Sequence, residues 1–193
     1  MKKTIIIPLV SLLMLSLTIT SDESKFTYDI NGMNVEYLVM TIDSTSQQQN
    51  FKKSINWIKE TYKNPEEVIK TTIDDKKIRF EGSEQNLICL KTLGLNTCYD
   101  ARYTIEVELK ENKYKFTPLS LSYRVLGSQY GPARTVQVDF KDGSMYYKKN
   151  KTIRTLYQSI PSSIENLFNS LNNSLNDYIK KESIESTDTD TEW

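Results

Sequence analysis

Residues 99–110 read Tyr99-Asp-Ala-Arg-Tyr-Thr-Ile-Glu-Val-Glu-Leu-Lys110. Ala101, Tyr103, Ile105, Val107 and Leu109 alternate with Arg102, Thr104, Glu106, Glu108 and Lys110. Successive side chains of a strand point to opposite faces, so one face of this strand is dry and the other wet. Strands of that kind belong to antiparallel sheets covered on one side only. Glu111-Asn112 turns the chain, and Tyr114 and Phe116 begin the return. The apolar parity then shifts to Leu119, Leu121, Tyr123 and Val125, with Pro118 at the shift. Proline cannot donate to a ladder, so a bulge or a sheet edge is expected there.

Working back toward the N-terminus, Leu87–Leu90, Ile78–Phe80 and Val68–Ile73 predict further strands, the last turned by Asp74-Asp75. Before them, Ser46 and Gln49 have the spacing of a capping box. Phe51, Ile55, Ile58 and Tyr62 follow at helical spacing with Trp57 beside the stripe, and Lys52, Lys53, Lys59 and Glu60 take the wet face. This amphipathic helix must bury one side, and Asn64-Pro65 ends it. Asn31-Gly32 is a hairpin signal between Phe26–Ile30 and the alternating Met33, Val35, Tyr37 and Val39. It predicts a strand pair, or one strand over about residues 34–42.

Toward the C-terminus, Gly127–Pro132 reads as a loop. Val136, Val138 and Phe140 alternate, Lys141-Asp142-Gly143-Ser144 turns, and Met145 and Tyr147 return. This predicts a hairpin over Val136–Tyr147, with Lys141, Lys148, Lys149 and Lys151 making its tip basic. Pro161 and a second capping box, Ser162 with Glu165, open a last helix. Its stripe is Ile164, Leu167, Phe168, Leu171, Leu175, Tyr178 and Ile179. The order is strand, helix, several antiparallel strands, helix. It gives an α+β domain over residues 25–182: a curved antiparallel sheet with two amphipathic helices packed on one face. An acidic tail over 183–193 is expected to be disordered.

Three stretches carry a family resemblance: the helix Phe51–Tyr62, the segment Val68–Gly82, and Tyr103-Thr-Ile-Glu-Val-Glu-Leu-Lys-Glu-Asn-Lys-Tyr-Lys-Phe116. Over roughly residues 34–125 the chain resembles the TATA-binding-protein-like (TBP-like) fold. More narrowly, it is similar to a family of exported bacterial domains of unknown function with that fold, common in Bacteroidota. The segment around Cys89 and Cys98 and the Val136–Tyr147 hairpin depart from that pattern. The resemblance implies a fold and no functional residues, because the family has no assigned activity. It does not imply DNA binding, since a fold does not give a function.

The first twenty residues bound where the protein works. Lys2 and Lys3, the apolar run Ile5 to Leu17 and the polar Ser21-Asp22-Glu23-Ser24 have the layout of a secretory signal peptide, residues 1–20. Cleavage near Thr20 leaves no stable membrane span, whereas a retained anchor is the alternative. It also removes two of the 25 positive side chains and none of the 25 acids, leaving a formal charge of −2. That charge gives no footprint for nucleic acid, and the acidic middle of the Tyr99–Lys110 strand is the opposite of what a minor groove asks for.

The chain has no histidine. Ser-His-Asp and Cys-His machinery and histidine-ligated zinc are therefore excluded in their usual form, and no catalytic residue, metal site or cofactor is assigned. Cys89 and Cys98, close together in an exported chain, are read as a disulfide, with two separate thiols as the alternative. Glu106 and Glu108 share a strand face about 7 Å apart, a spacing that suits paired glycosidase carboxylates but also an ordinary solvated face. Trp57 is read as core before ligand platform. Tyr123, Tyr130, Tyr146, Tyr147 and Tyr157 concentrate in the second half, and tyrosine is favoured at binding surfaces. Taken together, these features describe an exported, non-enzymatic domain that binds a protein or glycan partner in the periplasm or cell envelope. It would use the sheet face opposite the helices or the Val136–Tyr147 hairpin. The alternative is a carboxylate-dependent hydrolase acting on glycan.

Overall fold

The computed structural model describes residues 25–127 and 131–185. The segment 1–20 read as a signal, Tyr130 and residues 186–193 of the expected tail lie outside the described residues, whereas residues 183–185 of that tail continue the last helix. A short hairpin, β1 (Tyr28–Asp29) and β2 (Gly32–Met33), comes first. It is followed by β3 (Leu38–Thr41), α1 (Gln47–Thr61), a single turn α2 (Pro65–Val68) and β4 (Ile69–Ile73). The long strands β5 (Lys77–Thr92), β6 (Leu95–Lys110) and β7 (Lys113–Val125) form a meander. Then come β8 (Arg134–Gln137) and α3 (Ile160–Glu185). The main sheet is antiparallel in the order β3-β7-β6-β5-β4, with β8 also on β7. β3 pairs with residues 113–116 of β7 and β8 with residues 122–125, so both lie along the same edge of β7.

The alternation of residues 101–109 is realised as burial. Ala101, Tyr103, Ile105, Val107 and Leu109 are all nearly inaccessible and face the helices. Ile78 and Phe80 of β5 and Tyr114, Phe116, Leu121 and Tyr123 of β7 extend the layer. Its cover is α1 through Trp57 and Ile58, and α3 through Ile164, Leu167, Phe168, Leu175 and Ile179. Each fully buried aliphatic or aromatic side chain contributes roughly 1.5–3 kcal/mol. The parity shift at Pro118 is a bulge: Ile105 pairs with Pro118 and Thr104 with Ser120, leaving Leu119 as the extra residue. Pro118 also lies where β7 has neither β3 nor β8 beside it, so its missing N–H leaves no ladder partner unsatisfied.

The capping box of α1 is present, with Ser46 Oγ accepting from Gln49 N and Gln49 Oε1 accepting from Ser46 N. Four expectations need correction. Lys53, placed on the wet face of α1, is buried, with Nζ donating to Ile179 O at 3.3 Å; its stem packs between the helices. Ser162 does not cap α3, which already begins at Ile160, and Glu165 instead accepts from Tyr28 N at 2.8 Å. Residues 87–90 are not a separate strand but part of β5, beyond an irregularity between Glu84 and Ile88. The Val136–Tyr147 hairpin does not form. Only Arg134–Gln137 pairs with β7, and the chain from Val138 onward turns under the N-terminal hairpin. There Phe140 O accepts from Met33 N at 2.8 Å and Gly143 N donates to Ile30 O at 3.1 Å. Gly32, at φ +92°, lies so close to Phe140 O that a Cβ would meet it at 2.3 Å.

Beyond the sheet, β5 and β6 continue as an arm turned by Leu93 and Gly94, both at positive φ. Cys89 and Cys98 stand opposite each other across this arm and form a disulfide. Closing so short a loop contributes about 2–3 kcal/mol in the chain-entropy picture. The double substitution Cys89→Ser with Cys98→Ser is expected to lower stability by up to that amount in urea unfolding monitored by circular dichroism. Faster amide exchange should be confined to residues 88–99. Exchange rising equally in β7 would show that the disulfide supports the whole sheet instead.

Candidate functional site

The helices cover one face of the sheet, and the other is uncovered among the described residues. Its side chains fall in rows set by the strand registers. Ile73, Lys77, Glu108, Lys115 and Val39 make one row, and Thr71, Arg79, Glu106 and Thr117 the next. Then come Glu81, Thr104 and Ser120, and after them Ser83, Arg102, Ser122 and Gln137. Arg124, opposite Thr135, closes the array.

The two carboxylates singled out from sequence sit in the first two rows, and each is already engaged. Glu106 accepts from Lys77 Nζ at 2.9 Å and from Arg79 Nη2 at 2.6 Å and Nε at 3.1 Å. Glu108 is paired with Lys115. Burial by itself raises the Glu106 carboxyl, but the hydrogen bonds from Lys77 and Arg79 outweigh it and hold the group below its ordinary range. A glycosidase general acid needs the reverse, a carboxyl held protonated near neutral pH. The Lys115 ammonium is pushed up by its hydrogen bond to Glu108 and also lies 5.0 Å over the Tyr37 ring. Lys70 reaches Glu81 at 3.4 Å. The middle of the face is thus self-neutralised.

The end beyond Thr104 differs. Arg102, Arg124, Asp100, Ser83, Gln85, Ser122 and Thr135 line an open cleft of about 440 Å³. Among the described residues neither guanidinium makes a hydrogen bond or an ion pair. Asp100 is held by Asn86, whose backbone N–H donates to its carboxylate at 2.9 Å. Sequence reasoning passed over these arginines. Their positions, on the wet parity of β6 and β7, were visible; their proximity depends on the bulge at Leu119.

The other candidates resolve as structure. Trp57 is core, edge-on to Phe80 and donating from Nε1 to Ser174 Oγ at 3.0 Å. Tyr123, Tyr146 and Tyr147 are buried, so they offer no contact surface. Tyr28 packs edge-on against Tyr146, whose other edge meets Tyr157, and Tyr147 Oη donates to Tyr28 O at 3.0 Å. Burial pushes the Tyr123 hydroxyl up to about 12. The hairpin version of the binding surface is therefore withdrawn: the hairpin is absent and Tyr146 and Tyr147 line the core. Lys141, Lys148, Lys149 and Lys151 are exposed in turns. Among the described residues no helix is long and apolar enough to cross a membrane.

Residues 37–124 match the family model of a domain of unknown function (DUF4468) with TBP-like fold. Over those residues the resemblance to a family of unknown function with TBP-like fold, read from Phe51–Tyr62, Val68–Gly82 and Tyr103–Phe116, is borne out. Two solved structures share the fold. A DUF4468 family protein from Bacteroides ovatus is 12% identical at a TM-score of 0.57, over 74% of this chain and 84% of its own. A TBP-like protein from Parabacteroides distasonis is 14% identical at 0.51, over 75% of this chain and 90% of its own. At such identities the likeness is one of fold. No curated protein matches.

Because Glu106 is depressed when folded, the stability it contributes is present above the ordinary carboxylate range and is lost as pH falls through the lowered value. Glu106→Gln is expected to destabilise by about 1–2 kcal/mol at neutral pH. Thermal melts between pH 7 and pH 3 should show the difference from the parent narrowing below about pH 4.5, the ordinary value for the group. A gap that stays constant across that range would mean the ion pairs contribute nothing.

Proposed function

We propose that this is an exported, non-enzymatic domain that binds a partner in the periplasm or cell envelope through the uncovered face of its sheet. One observation carries the reading. The helices bury one face, whereas the other presents about five strands of hydrated side chains ending in two unpaired arginines. Sheets with one wet face are ordinary, but unpaired arginines beside hydroxyls on a rigid scaffold are what a recognition surface uses.

The export half of the proposal is supported by the signal-like residues 1–20 and by the Cys89–Cys98 disulfide, since such bonds persist in oxidising compartments. The non-enzymatic half is supported by the absence of histidine from the sequence and by the locked state of Glu106 and Glu108. The hydrolase alternative would need one of those carboxyls protonated near neutral pH, and the neighbours of Glu106 oppose that.

The test is site-specific photocrosslinking in the source cells, with the photoreactive residue at Thr104 in the middle of the uncovered face. The control position is Lys52, exposed on α1. The expected result is one dominant adduct from Thr104, absent from Lys52, on a chain whose N-terminus begins near Ser21. Equal labelling from both positions, or none from either, would remove the uncovered face as the binding surface. A chain recovered only in the cytoplasm would remove the export half.

A further inference from the structure

Arg102 and Arg124 line one cleft at one end of the uncovered face, and neither makes an ion pair, although Asp100 lines the same cleft. Arg102 projects from β6 opposite Ser122, and Arg124 lies two residues further along β7 on the same face, opposite Thr135. Diagonal neighbours of this kind have Cα atoms about 7–8 Å apart, a gap that two long side chains close easily. Elsewhere on the face Lys70, Lys77, Arg79 and Lys115 each meet a carboxylate. Here the nearest acid, Asp100, accepts from the Asn86 backbone and makes no ion pair with either arginine, leaving the cleft with a net positive charge. Two adjacent like charges repel, so the folded domain gains nothing internal from placing them together.

An anion reverses that balance. A guanidinium presents its donors as a planar fork matched to the two oxygens of a carboxylate or the oxygens of a phosphate. Ser83 and Ser122 flank Arg102 on either side and Thr135 flanks Arg124, placing neutral hydroxyl donors beside the forks. The cleft, about 440 Å³, admits a sugar-sized group and is open to solvent on one side.

We propose that this cleft is an oxyanion-binding site, in which Arg102 and Arg124 together clamp a carboxylate or phosphate group carried by the partner. The proposal rests on the reading of the uncovered face as a binding surface and supplies its chemistry. Lys110 and Lys113, on the same face at the far β6–β7 turn, are not part of the site and serve as controls.

The experiment titrates the full mature chain with inorganic phosphate and, separately, with glucuronate at constant ionic strength, following the arginine Nε resonances by NMR. Saturable shifts are expected for Arg102 and Arg124, with apparent dissociation constants in the millimolar range for such small probes. The pair Arg102→Gln with Arg124→Gln should weaken binding at least tenfold, and the pair Arg102→Lys with Arg124→Lys should weaken it less. Lys110→Gln with Lys113→Gln should leave it unchanged, and dispersed backbone amide spectra show that each variant folds. Stronger saturation by phosphate assigns the group as a phosphate, and stronger saturation by glucuronate as a carboxylate. Shifts that grow linearly and are reproduced by chloride, or binding that survives the glutamine pair, overturn the site. If Thr104 still crosslinks a partner in that event, the uncovered face binds by other means. If both experiments fail, both readings fall.

Discussion

The rest of the structure depends on the docking of α3 across the inner face of the sheet. The helix has 26 residues and is about 39 Å long, enough to cross every strand of the meander. Its stripe supplies the apolar cover that α1 alone is too short to give. Its polar groups then tie down each neighbour in turn. Asn169 exchanges two hydrogen bonds with the backbone of Phe26 at the N-terminal end of the domain. Tyr114 of β7 donates to Asn172 O and Oδ1, both at 3.1 Å. Ser174 receives the Trp57 indole, and Tyr178 Oη donates to Glu60 of α1 at 2.5 Å. Hydrophobic burial is non-directional, so it is these hydrogen bonds that select one crossing of helix over sheet from many of similar area.

The N-terminal hairpin is a second consequence. Two strands of two residues each have no stability of their own. They persist because the segment after β8 supplies partners that a sheet would otherwise give. Asp139 O accepts from Tyr28 Oη at 2.6 Å, and Phe140 packs edge-on against Phe168 while its carbonyl holds Met33. The first and last thirds of the domain are thus closed on each other over α3, with contacts separated by more than a hundred residues. Such pairings form late, because loop closure must be met before they return any free energy.

This closure also explains which parts of the fold were legible in the sequence. Residues 99–110, the stripe of α3 and the capping box at Ser46 follow local periodicities, and each appears where the pattern puts it. Val136, Val138 and Phe140 also alternate, yet only the first belongs to a strand. Period two there records side chains plugging the core from an irregular segment whose backbone bonds go to Leu121 of β7 and to Ile30 and Met33 of the N-terminal hairpin, information that no local window contains. Lys53 and Glu165 were misplaced for the same reason. A charged residue on a helix is read as wet, but Lys53 lies in the seam between α1 and α3, and Glu165 is turned to a backbone N–H 137 residues away.

The site was half legible, and the missing half is one residue wide. Before Pro118 the outward positions of β7 are Lys113, Lys115 and Thr117; after it they are Ser120, Ser122 and Arg124. Had these same residues formed an unbulged strand, the parity would run on unbroken. Leu119, Leu121 and Tyr123 would then face water, and Ser120, Ser122 and Arg124 would face the helices. The bulge therefore performs two tasks with one insertion. It keeps Leu121 and Tyr123 in the core, and it brings Arg124 out beside Arg102 rather than burying an unpaired guanidinium. A composition count sees a near-neutral chain and no electrostatic footprint, because it averages over both faces and over the ion pairs in the middle rows. A footprint exists locally, in the last two rows of one face, where the register set by Leu119 places Arg102 and Arg124 on one cleft and no carboxylate is paired with either.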